Sequence, residues 1–139
     1  MAGIIGRGDE PGRQVFIKKE LEDKYQCVPV FLSSQEIQLY YYGFCNKTIW
    51  PLFHYFTSIT DYDPEEWQAY KEVNQKFYEV ADAYLHEEDL VWVHDYQLML
   101  LPSLVKDNHP ETQVGFFLHI PFPSFEIFRL LIWRTEIIQ

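Results

Sequence analysis

The sequence is short of cations, of cysteine, and of glycine in any phosphate-cradling pattern. Its 11 Lys and Arg face 21 Asp and Glu, for a net charge of −10. A nucleic-acid partner needs a basic footprint, so this balance excludes one. The cations are also scattered: Lys18 and Lys19 form an isolated pair, and Arg129 and Arg134 lie near the C-terminus. Cys27 and Cys45 are the only cysteines, too few for a disulfide framework, which points to a reducing compartment such as the cytoplasm. The first residues lack a basic region followed by a long apolar core and do not read as a signal peptide. The most apolar run, 90–105, is broken by His94, Asp95 and Gln97, and is too short and too polar to span a bilayer. There is no Gly-rich phosphate loop and no nucleophile elbow, and Gly6-Arg7-Gly8 follows no predicted strand. His54, His86 and His94 show no zinc spacing and have no cysteine nearby, so no metal site is expected.

What is present is a core. Hydrophobic residues make up 47% of the 139, enough for one packed domain and too many for a disordered chain. The aromatics serve packing and also suit sugar sites, because their rings offer flat apolar faces with polar edges. Residues 1–13 read as a loop and 14–25 as a helix. Residues 27–32 read as a strand. Ser33 and Glu36 form a capping-box signature for a helix carrying Ile37, Tyr40, Tyr41 and Phe44, which Gly43 weakens.

Pro51 biases Trp50 away from helix, so 48–55 reads as a loop entering a short helical turn. Asp63-Pro64 starts a helix with Trp67, Tyr70, Val73, Phe77, Val80 and Tyr84 on one face, and Glu65, Glu66, Lys71, Glu72 and Lys76 on the wet side. Strands are expected at 90–93 and 114–119. Between them, 97–106 is helix-like, with Pro102 at a kink or a true start. Ser124 is placed to cap a last helix running through Ile137. This alternation argues for βαβ units and a parallel sheet, an α/β fold. The abrupt ends and only about three strands read as a fragment cut at both ends rather than a small complete domain.

Two tracts carry the functional signal: 91–96, Val-Trp-Val-His-Asp-Tyr, and 115–123, Gly-Phe-Phe-Leu-His-Ile-Pro-Phe-Pro. Each reads as a short buried strand ending at a polar residue, Asp95 or His119. In open α/β sheets, ligands bind at the carboxyl ends of the strands. Asp95 there can fix sugar hydroxyls through charge-assisted hydrogen bonds, or cap the next helix. His119, on a rigid Ile-Pro-Phe-Pro exit, can hold a hydroxyl or support developing charge, or be satisfied by backbone as a structural histidine. Tyr41 and Trp50 can form an aromatic wall, or simply pack in the core.

The two tracts, extended to 91–102 and 115–124, resemble the α,α-trehalose-phosphate synthases, a family of retaining glycosyltransferases. So do Tyr41-Tyr42-Gly43-Phe44 with Ile49-Trp50-Pro51-Leu52-Phe53-His54-Tyr55, and 67–74. The similarity runs from about Val28 to Gln139. It implies transfer of glucose from UDP-glucose to glucose 6-phosphate by a GT-B enzyme, of which this chain is part of the acceptor-side, Rossmann-like N-terminal domain (1–139). It also implies no metal and no cofactor, catalysis by positioning and electrostatic support of an oxocarbenium-like state, and a homo-oligomer or a trehalose-synthase complex for the whole protein. By position, Tyr41 and Trp50 match residues that hold glucose 6-phosphate near its phosphate. Asp95 matches an acceptor-contacting aspartate, and His119 matches a histidine that contacts the donor glucose.

The chain departs from the family in places. The Gly-rich donor loop falls upstream of it, and the Arg and Lys that grip the donor diphosphate fall beyond it, which accounts for the scarcity of clustered cations. Ile132 stands where the family usually has Pro, and restores a backbone donor that would extend the helix. Gln97 stands where many members have His and is given no role. The chain alone is therefore expected to be inactive. The rival readings are a non-catalytic synthase-like module that binds sugar phosphate or a partner, and a truncated gene product with exposed core.

Overall fold

The computed structural model describes residues 2–6, 11–86 and 88–138, with side chains from residue 12 onward. Strand β1 (Ala2–Gly6), helix α1 (Pro11–Tyr25) and strand β2 (Val28–Leu32) form one βαβ unit, with β1 and β2 parallel and Ala2 opposite Val28. A second unit follows the same plan. Strands β3 (Leu90–His94) and β4 (Gln113–Phe117) are parallel, with Leu90 opposite Gln113 and His94 opposite Phe117. The result is two two-stranded parallel sheets in an α/β fold.

Strand β1 corrects the reading of 1–13 as a loop. Two glycines in five residues look like loop composition, but pairing with β2 satisfies the backbone and outweighs propensity. Gly6-Arg7-Gly8 therefore does follow a strand, although residues 7–10 lie outside the described part.

Between the units runs a helical stretch. The predicted capping box is present: Ser33 Oγ accepts from the Glu36 N–H, and the Ser33 N–H donates to Glu36 Oε2. It opens α2 (Ser34–Glu36), which widens into a π-helical segment (Ile37–Ile49) and returns to α3 (Trp50–Phe53). Trp50 is helical (φ −58°, ψ −51°), against the expectation that Pro51 would push it out. Pro51 sits in the first turn of α3, where a missing N–H costs nothing. Gly43 does weaken the helix, since its ψ of −107° is non-helical and marks a kink.

Helix α4 (Pro64–Asp82) begins as predicted, with Asp63 Oδ1 accepting from the Glu65 N–H. Its apolar face packs against the kinked helix. Tyr40, Phe44, Ile49, Leu52, Phe53, Tyr70, Val73 and Phe77 are fully buried, each contributing about 1.5–3 kcal/mol of transfer free energy. Glu66, expected on the wet side, is buried instead (3% exposed) and paired with Lys47.

Helix α5 (Leu101–Asn108) carries Pro102 in its first turn, so Pro102 marks a start and not a kink. The last helix is not continuous. It is split into α6 (Phe125–Phe128) and α7 (Arg134–Ile137), and Ser124 makes no side-chain cap. The turn between them buries Leu131 and stacks Trp133 on Trp67 at 5.2 Å, contacts that one straight helix would not combine. Ile132 lies in that turn and extends nothing.

The two tracts also differ from the expectation of burial. Val93 is buried, but Trp92 is 58% exposed, and Phe116 and Phe117 are exposed. Unbroken apolar composition marks strands buried on both faces, yet here the face of the β3–β4 pair carrying Trp92, His94 and Phe117 is exposed, as is Phe116 on the other face. No helix among the described residues is long and apolar enough to cross a membrane.

Candidate active site

Asp95 follows the last residue of β3 and turns the chain sharply, with φ 73° and ψ 166°. A positive φ is strained for a residue with a Cβ and needs support from its surroundings. That support comes from both sides. The Asp95 N–H donates to the Phe117 carbonyl at 2.8 Å, continuing the β3–β4 ladder one step past its end. Oδ1 accepts from the Tyr96 N–H at 2.9 Å and from the His119 N–H at 3.3 Å. One oxygen thus caps the turn and ties down the second tract. Both of these bonds go to Oδ1, and none to Oδ2 is seen among the described residues. The cap, one of the two alternatives in the sequence, is therefore formed.

His119 lies two residues beyond β4, so the strand stops at Phe117 and not at the imidazole. The chain still carries it to Asp95. Its ring is exposed, meets Phe117 edge-on at 4.8 Å, and places Nε2 3.0 Å from His94 Nδ1.

Behind Asp95 is a buried polar network that sequence reasoning missed. The Tyr70 hydroxyl donates to the Tyr96 carbonyl at 2.8 Å and accepts from the Met99 N–H at 3.0 Å. Tyr40 and Asn74 both donate to the Gln97 carbonyl, at 3.0 and 3.1 Å. The 96–99 turn is thereby fixed to α4 and to the kinked helix. Tyr40, Tyr70 and Asn74 sit at core positions of their helices, so the only signal was hydroxyls and an amide on an otherwise apolar face.

The kinked helix meets Asp95 after Gly43. Burial and then the charge of Asp95 push the Cys45 thiol well up. The Tyr96 hydroxyl lies 3.4 Å from Asn46 Oδ1 and is pushed up to about 12, first by burial, then by the nearby Cys45, Tyr41 and Asp95. Tyr41 therefore belongs to this neighbourhood. It is 37% exposed, with its ring edge-on to Tyr42 at 5.4 Å.

Trp50 stands further along, 39% exposed and stacked on His54 at 4.1 Å. Its link to the His119 tract is indirect: Phe53 packs on Phe122 at 5.5 Å, and Tyr55 Oη accepts from the Ser124 N–H at 2.9 Å. Asp95 and His119 are thus joined directly. Among the described residues, Trp50 reaches the loop that leaves His119 only through its neighbours Phe53 and Tyr55. Tyr41 and Trp50 are both exposed rather than packed in the core. No three His, Cys, Asp or Glu among the described residues are grouped to hold a metal.

Parallel βαβ units with polar groups gathered at the carboxyl ends of their strands define a Rossmann-like ligand-binding domain. The sequence matches the profile of glycosyltransferase family 20 over residues 2–139, and the chain belongs to that family. It is 48% identical over 136 residues to α,α-trehalose-phosphate synthase [UDP-forming] A of Dictyostelium discoideum, covering 98% of this chain and 19% of that protein. It superposes with a TM-score of 0.75, at 32% identity, on the Burkholderia xenovorans α,α-trehalose-phosphate synthase in complex with glucose-6-phosphate, covering 80% of this chain and 25% of the other. The Candida albicans trehalose-6-phosphate phosphatase N-terminal domain gives 0.79 at 34% identity, covering 98% of this chain and 30% of the other. The chain spans about a fifth of the curated relative's length. Its fold is that of a partial Rossmann-like domain of a GT-B glycosyltransferase.

Proposed function

We propose that this chain forms the acceptor-side part of a UDP-forming α,α-trehalose-phosphate synthase, which moves glucose from UDP-glucose to glucose 6-phosphate with retention. The single observation that carries the reading is the junction of Asp95 and His119 at the carboxyl ends of β3 and β4. An acceptor-only carboxylate oxygen can hold sugar hydroxyls through charge-assisted bonds. An adjacent imidazole can donate to, or accept from, a second sugar. Tyr41 and Trp50 offer ring faces and polar edges to glucose 6-phosphate. Catalysis on this reading is positioning and electrostatic support, with no metal and no cofactor. The whole protein would act in the cytoplasm, as a homo-oligomer or within a trehalose-synthase complex, without a nucleic-acid or membrane partner.

The test is binding of glucose 6-phosphate to the purified chain by calorimetry. Binding is expected, with no UDP released when UDP-glucose is added. Asp95→Asn keeps an Oδ1 acceptor but loses the charge. It should weaken binding about tenfold or more, the worth of a charge-assisted hydrogen bond of roughly 1.5–3 kcal/mol. Equal affinity in the variant would sink the assignment of Asp95. The rival reading, a non-catalytic synthase-like module that binds sugar phosphate, is not favoured, because the curated relatives are UDP-forming synthases. The four site side chains argue against a decayed site.

A further inference from the structure

The geometry points to His94 as a positioning residue for His119: it holds the Nε2 edge of that ring, so that the Nδ1 edge is the one presented to a ligand. This rests on the reading of His119 as a sugar-contacting residue. His94 is the last residue of β3, in register with Phe117 at the end of β4. Its Nδ1 lies 3.0 Å from His119 Nε2, with the two rings 5.2 Å apart and inclined by 27°. Trp92, two residues back on the same face of β3, stacks on His94 at 6.2 Å and backs the pair. His119 is held at its backbone by Asp95 Oδ1 and at its ring by Phe117. His94 supplies the remaining restraint, on rotation of the imidazole.

An imidazole nitrogen either carries a proton or accepts one, so this bond needs one of the two facing nitrogens protonated and the other bare. For two neutral rings only two arrangements satisfy it: protons on both Nδ1 atoms, or on both Nε2 atoms. The tautomer of His119 is therefore tied to that of His94. In either arrangement His119 Nε2 is occupied within the protein and Nδ1 remains for substrate. A partner bonded to the second nitrogen of a functional imidazole is how its tautomer and orientation are ordinarily set.

The test is NMR of the ring nitrogens in uniformly 15N-labelled chain, for the unmodified protein, His94→Phe and His94→Asn. His94 is exposed, and an unchanged amide spectrum confirms that each variant folds. Expected in the unmodified chain are a coupling across the hydrogen bond between His94 Nδ1 and His119 Nε2, and one tautomer shared by both rings. His94→Phe keeps a ring against Trp92 but offers no nitrogen, so the His119 nitrogens should average between tautomers. His94→Asn puts an amide near the place of Nδ1 and should restore one tautomer. Absence of the coupling, with His119 signals unaltered in His94→Phe, overturns the inference. Glucose 6-phosphate added to the same samples separates the two claims. A coupling without any ligand-induced shift at Asp95 or His119 supports the pair and overturns the functional reading. Ligand shifts without a coupling overturn the pair alone.

Discussion

The carboxylate of Glu66 occupies the space that a Cβ on Gly43 would need. A methyl group built there would lie 2.7 Å from the Glu66 carboxyl carbon. Glu66 cannot swing away cheaply, because it is buried and its Oε1 is bonded to the Lys47 ammonium at 2.5 Å. The absent side chain of Gly43 and the buried side chain of Glu66 are one packing unit. It sits at the kink between Tyr41 and Trp50.

Gly43→Ala should therefore destabilise the fold by about 1–3 kcal/mol, the usual cost of forcing an extra carbon into a filled site. Urea unfolding measures it. Glu66→Ala empties the site, so the double variant should cost less than the two single variants added together. Strict additivity would show that the two residues do not share that space.

Tyr70→Phe deletes a hydroxyl that serves the Tyr96 carbonyl and the Met99 N–H together. Both groups would be left buried without that partner, at a cost of about 1–3 kcal/mol. Because the 96–99 turn sustains the positive φ of Asp95, glucose 6-phosphate affinity should fall as well, although Tyr70 is fully buried and touches no ligand. Unfolding and calorimetry on the same variant check both. A stability loss with unchanged affinity would confine Tyr70 to a structural role.

Glu36 gives a pH dependence of known sign. Burial works to raise its pKa, but the Ser33 N–H, the Lys76 ammonium and the Ser33 hydroxyl together outweigh it, and the carboxyl is held below its ordinary value. A group depressed in the folded state stabilises at pH above its unfolded pKa, about 4.3 for Glu. That contribution is lost as pH falls through the lower, folded value. The melting temperature of the parent chain should thus decline more steeply on acidification than that of Glu36→Gln. Parallel curves would mean that the capping box contributes no titrating stability.

Much of the helical framework was readable because its signals are local. Ser33 with Glu36 and Asp63 with Pro64 act within three residues, and both caps form as the spacing predicts. The β3–β4 pair and the polar residues near its ends were equally legible. Strand β1 was not, because two glycines in five residues carry no strand signal until β2 is beside them. Nor was the burial of Glu66, which reads as one more charge on a wet face until Gly43 leaves room for it. The splitting of the last helix follows from Trp133 stacking on Trp67, a partner 66 positions away in the numbering.

By itself, then, the sequence determined the α/β class and the capped helix starts at Ser33 and Asp63, and offered Tyr41, Trp50, Asp95 and His119 as candidates. Capping, hydrophobic period and strand-ending polar residues are written within a few neighbours. The tertiary structure alone decided that Asp95 Oδ1 would bind the His119 backbone, that His94 would meet the His119 ring, and that Tyr70 would brace the turn between them. Those contacts join residues 24 to 29 positions apart, in β3, in α4 and beyond β4. Their geometry depends on parallel register and on packing of α4, and both are settled only when distant segments exchange water for one another.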